Sequence, residues 1–165
     1  MERRGVSEER YLHASSRPAP AGVSERAALE ARARTLGVAD RARFRGRVSP
    51  AELARLVAAS AVYVSTSRSD STSLSLLEAM AAGSVPVVTD IPGNREWIEP
   101  GVGGRLFPVG DARALARAVS ETLADAEFRR RARLVNRRAV EERGDWAKSL
   151  ARVSGIYAAL AGKAA

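Results

Sequence analysis

An α/β fold, with a parallel sheet covered by helices on both faces, is what this sequence predicts, and three observations carry the prediction. Short strand-like runs alternate with helix-like runs along most of the chain. The runs "AVYVSTS" and "VPVVTD" are largely apolar, as strands buried on both faces must be. Capping residues and glycines punctuate the helix starts and stops where the alternation needs them. At 165 residues the chain suits one domain built on one core.

Taken in order, residues 1–23 hold Pro18, Pro20 and Gly22 without a sustained period and read as a mobile leader, so the domain is expected over 24–165. In "SERAALEARARTLGV", Leu29, Ala33 and Leu36 recur at helical spacing between Ser24 as a cap and Gly37 as a stop. "RARFRGRV" is a short β-like segment. Ser49, Pro50 and Glu52 make a capping box with proline at the first helical position, ahead of a stripe of Leu53, Leu56 and Val57. "AVYVSTS" then reads as a strand, 67–73 as a polar loop, "LSLLEAMAAG" as a helix closed by Gly83, "VPVVTD" as a strand and "IPGN" as a turn. "GRLFPVGD" gives another strand, and Asp111 caps a helix carrying Leu115, Val119 and Leu123. Asp125 caps an arginine-rich helix whose apolar positions are Phe128, Ala132, Val135 and Ala139. The last helix starts near Asp145 and aligns Trp146, Leu150, Val153, Tyr157 and Leu160 on one face.

Composition limits the function classes. With 45% hydrophobic and 28% charged residues the chain is globular in character. The absence of cysteine removes disulfides, thiolate catalysis and cysteine-based zinc sites. No apolar run approaches the ~18 residues of a membrane span, and "MERRGVSEERYLHASSRPAPAG" lacks the apolar core of a secretory signal, so a cytoplasmic location is expected. The formal charge of +8 is nearly all arginine, since only Lys148 and Lys163 are lysines. Nucleic acid, anionic membrane surfaces and phosphorylated small molecules all fit that sign. In "RRRARLVNRRAVEER" the arginines fall between apolar residues at helical spacing, the pattern of a solvated helix face. With few aromatics and no nucleic-acid motif, nucleic acid is the least favoured partner, while peripheral membrane contact stays open.

The chemistry concentrates in "SRSDSTSLSLLEAMAAGSVPVVTDIPGN", residues 67–94. In an open parallel sheet, ligands bind beyond the carboxyl ends of the strands, where loops lead into helix N-termini. The amides around Ser73 to Leu76 can receive phosphate or sugar oxygens at such a start. Asp70 precedes the helix and Glu78 lies about one turn into it, and one carboxylate can accept both hydroxyls of a vicinal diol. The pattern suits a ligand with diols and phosphate, such as a nucleotide sugar. The same residues also fit a plainer reading, in which Asp70 and Ser71–Ser75 shape a turn and Glu78 complements the helix dipole. Arg68 and Arg95 lie on loops at this cleft and offer positive charge to a diphosphate. Trp97 reads as packing ahead of a sugar platform, and Met80, Trp146 and Tyr157 as core or interface positions.

The stretch "SDSTSLSLLEAMAAGSVPVVTDIPGNREWIEPGVGGRLFPVGDARALARAV" resembles the C-terminal, donor-binding domain of the family 4 retaining glycosyltransferases, the glycosyl transferases group 1. That family carries an acid, seven residues and a glutamate, and Asp70 and Glu78 fall on the two acids. The likeness extends through "PVV", Pro92–Gly93, Glu96 and the "GD" cap, and covers residues from about 24 to 160. It implies a Rossmann-like sheet and a nucleotide-diphospho-sugar donor. Glu78 would hold the ribose hydroxyls, Asp70 would face the transferred sugar, and the amides of Thr72, Ser73 and Leu74 would line sugar and phosphate. Val48 would lie near the base. Retaining hexosyl transfer without a metal or other cofactor is the implied chemistry, with Asp70 and Glu78 at its centre. Ser71 and Ser73 stand where the family pattern has glycines, which makes any positive φ there costly.

Family members are two-domain enzymes of more than twice this length. The resemblance therefore implies a truncated donor half that lacks its first strands, with the acceptor domain supplied by another chain. "RARFRGR" is expected to have lost its strand neighbours, and the last helix to leave an apolar face open. Two other classes fit the same residues: a noncatalytic remnant or interaction module, and a basic domain for nucleic acid or anionic membranes.

Overall fold

The computed structural model describes residues 11–14 and 25–162, and the chain divides into two compact units, 1–53 and 54–165. In the first unit, strand β1 (Tyr11–Ala14) pairs in parallel with β2 (Ala42–Gly46), placing Tyr11 opposite Ala42 and His13 opposite Phe44. This corrects two expectations. Tyr11–Ala14 is a strand within the supposed leader, and "RARFRGR" has a neighbour; the leader's other residues, and Ser24 as a cap, lie outside the described residues. The reason is general: an extended strand with unpaired N–H and C=O groups will take up any short breaker-free segment, and "YLHA" holds neither proline nor glycine. Helix α1 (Glu25–Thr35) ends at Gly37, whose φ of 66° suits a helix stop. Of its expected apolar stripe only Ala33 is buried, because a two-stranded sheet offers little area to cover; Leu29 and Leu36 are exposed.

Helix α2 (Pro50–Ala59) starts as its capping box requires, with the Glu52 N–H donating to Ser49 Oγ at 3.2 Å. The second unit then builds a three-stranded parallel sheet in the order β3 (Val62–Ser65), β4 (Val85–Thr89), β5 (Arg105–Phe107). The register sets Val62 against Val85 and Thr89 against Phe107. Every residue of β4 is buried, so both faces are covered, as the apolar run requires.

On one face Val88 packs with Ile98 and with Leu76 and Met80 of α3 (Leu74–Ala82). On the other, Val87 packs with Phe107 and with Ala118 of α5 (Ala112–Ala124). Val85 meets Phe128 and Ala132 of α6 (Ala126–Arg143). Asp111 and Asp125 cap α5 and α6, each accepting a backbone N–H at 2.8 Å. Helix α3 closes on Gly83 with φ 87°.

Two helix phases differ from the apolar pattern by one residue. Leu123 and Val135 are exposed, while Thr122 and Asn136 are buried. Both of these buried polar side chains are satisfied: Thr122 Oγ1 donates to Ala118 O at 2.7 Å and Asn136 Nδ2 to Gly103 O at 2.7 Å. Helix α7 (Trp146–Ala161) is capped by Asp145 and is exposed along its length, with Trp146 78% and Tyr157 71% accessible. The expected open apolar face is present. Among the described residues, no helix is long and apolar enough to cross a membrane.

Candidate functional site

The site grows out of the carboxyl ends of β3 and β4, which are adjacent and parallel and so send their following loops out on the same side of the sheet. After Ser65 the chain runs as an irregular loop to Ser73 and enters α3; after Thr89 it passes Asp90 and Ile91 into the short helix α4 (Pro92–Arg95). The two loops are bonded to each other. Thr89 Oγ1 donates to Ser67 O at 2.6 Å, and Asn94 Nδ2 returns to Thr89 O at 2.8 Å. Gly93 lies under the first loop so closely that a Cβ there would stand 1.8 Å from Ser71 O and 2.6 Å from Asp70 O.

The loop's own residues hold its shape at low backbone cost. Ser65 and Ser67 share a hydrogen bond at 3.2 Å, Ser73 and Ser75 one at 2.9 Å, and Tyr63 OH and Ser75 Oγ one at 2.8 Å. Among the described residues no non-glycine has a positive φ, and Ser73 sits at φ −76°, ψ 117°. Serines at 71 and 73 therefore cost the loop no left-handed strain. Ser73 O accepts from the amides of Leu76 and Leu77. No acceptor among the described residues meets the N–H groups of Thr72, Ser73, Leu74 or Ser75, which leaves a helix start with its donors open.

Asp70 and Glu78 flank that start. Both are exposed, and neither makes a hydrogen bond or ion pair among the described residues. Arg68 is likewise exposed and unpaired there. Arg95 is differently engaged: its Nε and Nη2 grip the Asp90 carboxylate at 2.5 and 2.8 Å. Those hydrogen bonds hold the Asp90 carboxyl below its usual range and raise Arg95 in turn. Among the described residues, no group of three or more His, Cys, Asp or Glu could hold a metal ion.

The structure thus gathers Arg68, Asp70, Thr72, Ser73, Leu74 and Glu78 around one loop and helix start, with Arg95, expected on a loop, at the end of the neighbouring helix α4. Val48 is half-buried and follows β2 in the first unit. The supporting residues Thr89, Gly93, Asn94 and Trp97 carry little signal of their own in the sequence. The "VPVVTD" strand and the "IPGN" turn marked the place of the first three, and Trp97 read as packing. Trp97 does pack, on the Leu76–Met80–Val88–Ile98 cluster, yet its indole Nε1 also donates to Thr72 Oγ1 at 3.3 Å.

Phosphatidyl-myo-inositol mannosyltransferase of Mycobacterium leprae is 32% identical over 126 residues, which are 76% of this chain and 33% of that protein. D-inositol 3-phosphate glycosyltransferase of Streptomyces griseus is 35% identical over 109 residues, 66% of this chain and 23% of that protein. The chain spans about a third or less of the length of these curated relatives. Among solved structures, sucrose-phosphate synthase from Thermosynechococcus elongatus superposes with a TM-score of 0.82 at 26% identity, covering 92% of this chain and 38% of that one. HepE from Anabaena, in complex with UDP-glucose, superposes with a TM-score of 0.75 at 22% identity over 81% of this chain and 36% of its own, a likeness of fold. Residues 21–138 match the family model described as Glycosyl transferases group 1, and the chain, with its Rossmann-like parallel sheet, belongs to that family.

Proposed function

We propose that this chain is the donor half of a retaining glycosyltransferase, binding a nucleotide-diphospho-sugar at the β3–α3 loop while another domain or chain brings the acceptor. One observation carries the reading: four open amide donors at the α3 start stand between two exposed, unpaired carboxylates. Amides and a helix N-terminus suit the diphosphate. Glu78 is assigned to the ribose diol and Asp70 to the transferred hexose. In transfer, the bond from the anomeric carbon to the diphosphate oxygen breaks and the acceptor oxygen bonds that carbon on the same face. The acceptor's proton leaves with the diphosphate, whose developing charge the amides and Arg68 stabilise. The curated relatives named above, a mannosyltransferase and a glycosyltransferase, support hexosyl transfer as the class.

The test is ligand-detected NMR of the full chain with UDP, GDP and ADP and their glucose or mannose conjugates. Glu78→Ala should abolish or weaken binding by tenfold or more while leaving stability within about 0.5 kcal/mol, because the side chain is exposed and unpaired. A folded chain that binds none of these ligands refutes the assignment. The open apolar face of α7 favours a second reading, a noncatalytic interaction module, which predicts binding to a partner that Glu78→Ala leaves unchanged.

A further inference from the structure

We infer that Trp97, braced by Arg143, is a positioning residue that sets where the Thr72–Leu74 amides stand. The inference rests on the donor-site reading for its consequence in binding. The loop from Ser65 to Leu74 is anchored at both flanks by short-range contacts: Ser67 by Thr89, Asp70 and Ser71 by their seat on Gly93, and Ser73 by Ser75. Between Ser71 and Ser73, the only tie from outside the loop among the described residues is the one from Trp97 Nε1 to Thr72 Oγ1. Thr72 is the first of the three residues whose amides the donor reading uses.

The indole is itself held from two sides. One side packs on the buried cluster of Leu76, Met80, Val88 and Ile98. The guanidinium of Arg143, from the last turn of α6, lies 4.4 Å from the ring centroid and donates through Nη2 to Glu96 O at 2.8 Å. A planar side chain fixed by both core and cation presents its N–H in one direction, which a flexible aliphatic residue would not do. Trp97 therefore touches neither sugar nor phosphate in this reading; it acts through Thr72.

The experiment uses the full chain carrying Trp146→Phe, which leaves Trp97 as the sole indole and changes only an exposed residue. Two variants are made on it: Trp97→Phe, which keeps a ring for Arg143 and deletes the N–H, and Thr72→Val, which keeps the shape and deletes the acceptor. Without ligand, NMR order parameters for residues 72–74 should fall from rigid values of about 0.85 toward 0.6 in both variants. With UDP-glucose or GDP-mannose, each variant should bind about three- to tenfold more weakly, the span of one hydrogen bond. The double variant should be no weaker than either single one, since both delete the same bond. Nucleotide binding should also change Trp97 emission, a signal that a merely structural tryptophan would not give. Unchanged order parameters in both variants, or fully additive losses of affinity, overturn the inference. If the parent chain binds no nucleotide, the donor reading fails, and the order parameters alone still decide whether Trp97 positions the loop.

Discussion

Gly93→Ala gives the sharpest test of how the site is assembled. The new Cβ would lie 1.8 Å from Ser71 O, 2.6 Å from Asp70 O and 2.7 Å from Ser71 C, all backbone atoms that cannot rotate away. Reaching even 3.0 Å from Ser71 O, a separation real Cβ atoms essentially never undercut, requires the loop to withdraw by about 1.2 Å. Overpacking of this kind costs about 1–3 kcal/mol. Withdrawal also stretches the Thr89–Ser67 and Trp97–Thr72 bonds, each worth about 0.5–1.5 kcal/mol. A misplacement near 1 Å in a group that orients a reacting ligand can cost about a hundredfold in rate. Thermal unfolding and ligand-detected NMR with UDP- and GDP-hexoses read the two consequences separately. The expected result is a melting temperature lower by roughly 5 °C or more, with donor binding lost in chains that still fold. Gly155→Ala is the control: its Cβ meets nothing within 4 Å in a helix, so it should stabilise by about 0.5–1 kcal/mol. If Gly93→Ala melts and binds like the parent chain, the loop does not rest on Gly93 and the site geometry is wrong.

Three further predictions follow from paired and unpaired polar groups. Asp90→Asn releases Arg95 from its bidentate partner, and if Arg95 then serves a diphosphate, UDP and GDP should bind several-fold more tightly in a calorimetric titration; weaker binding would mean the Asp90 carboxylate itself is needed. Because Arg95 lowers the folded pKa of Asp90, the pair stabilises the fold above the unfolded carboxylate pKa of ~4 and loses that contribution as pH falls through the lower folded value. Melting temperatures of the parent and Asp90→Asn should thus differ at neutral pH and converge in acid. Ser84 is fully buried with an Oγ that has no partner among the described residues, so Ser84→Ala should raise stability by about 1 kcal/mol in denaturant unfolding. A loss of that size would instead reveal a hydrogen bond to the hydroxyl.

Local signals proved legible where one residue suffices to set the backbone. Asp111, Asp125 and Asp145 cap the helices that the sequence assigns to them, Ser49 accepts from Glu52, and Gly83 ends α3 with a left-handed φ. The largely apolar run of β4 predicted a strand covered on both sides, and all five of its residues are buried. Helix phase was less legible. Thr122 and Asn136 turn inward where the folded chain supplies acceptors for their donors, Ala118 O for the hydroxyl and Gly103 O for the amide, and those partners exist only once the chain is folded. β1 was missed because four residues without strong alternation gain their identity from the edge of β2. In the site, the two acids and the polar loop stood out by residue type, whereas Gly93, Thr89 and Trp97 matter through a close approach and two hydrogen bonds that no spacing encodes.

The arginines of α6 give the charge a structural account that composition alone does not. Arg129 Nη1 donates to Thr122 O at 2.7 Å and also to Leu123 O, which are among the last carbonyls of α5 and lack helical partners of their own. Arg137 Nη1 does the same for Ala81 O near the end of α3 at 2.9 Å, and Arg143 Nη2 for Glu96 O at 2.8 Å just past α4. Each places a cation where a helix dipole ends negative. Arg130 and Arg131 meet Glu127, and Arg137 also meets Glu141, on the same helix. A chain of formal charge +8 therefore need not be read as a polyanion binder, because part of that charge closes the helices that border the β3–α3 loop. Arg143 belongs to this set and is also the residue that braces Trp97. The same chemistry that finishes the fold at α6 extends to the loop where the donor is proposed to sit.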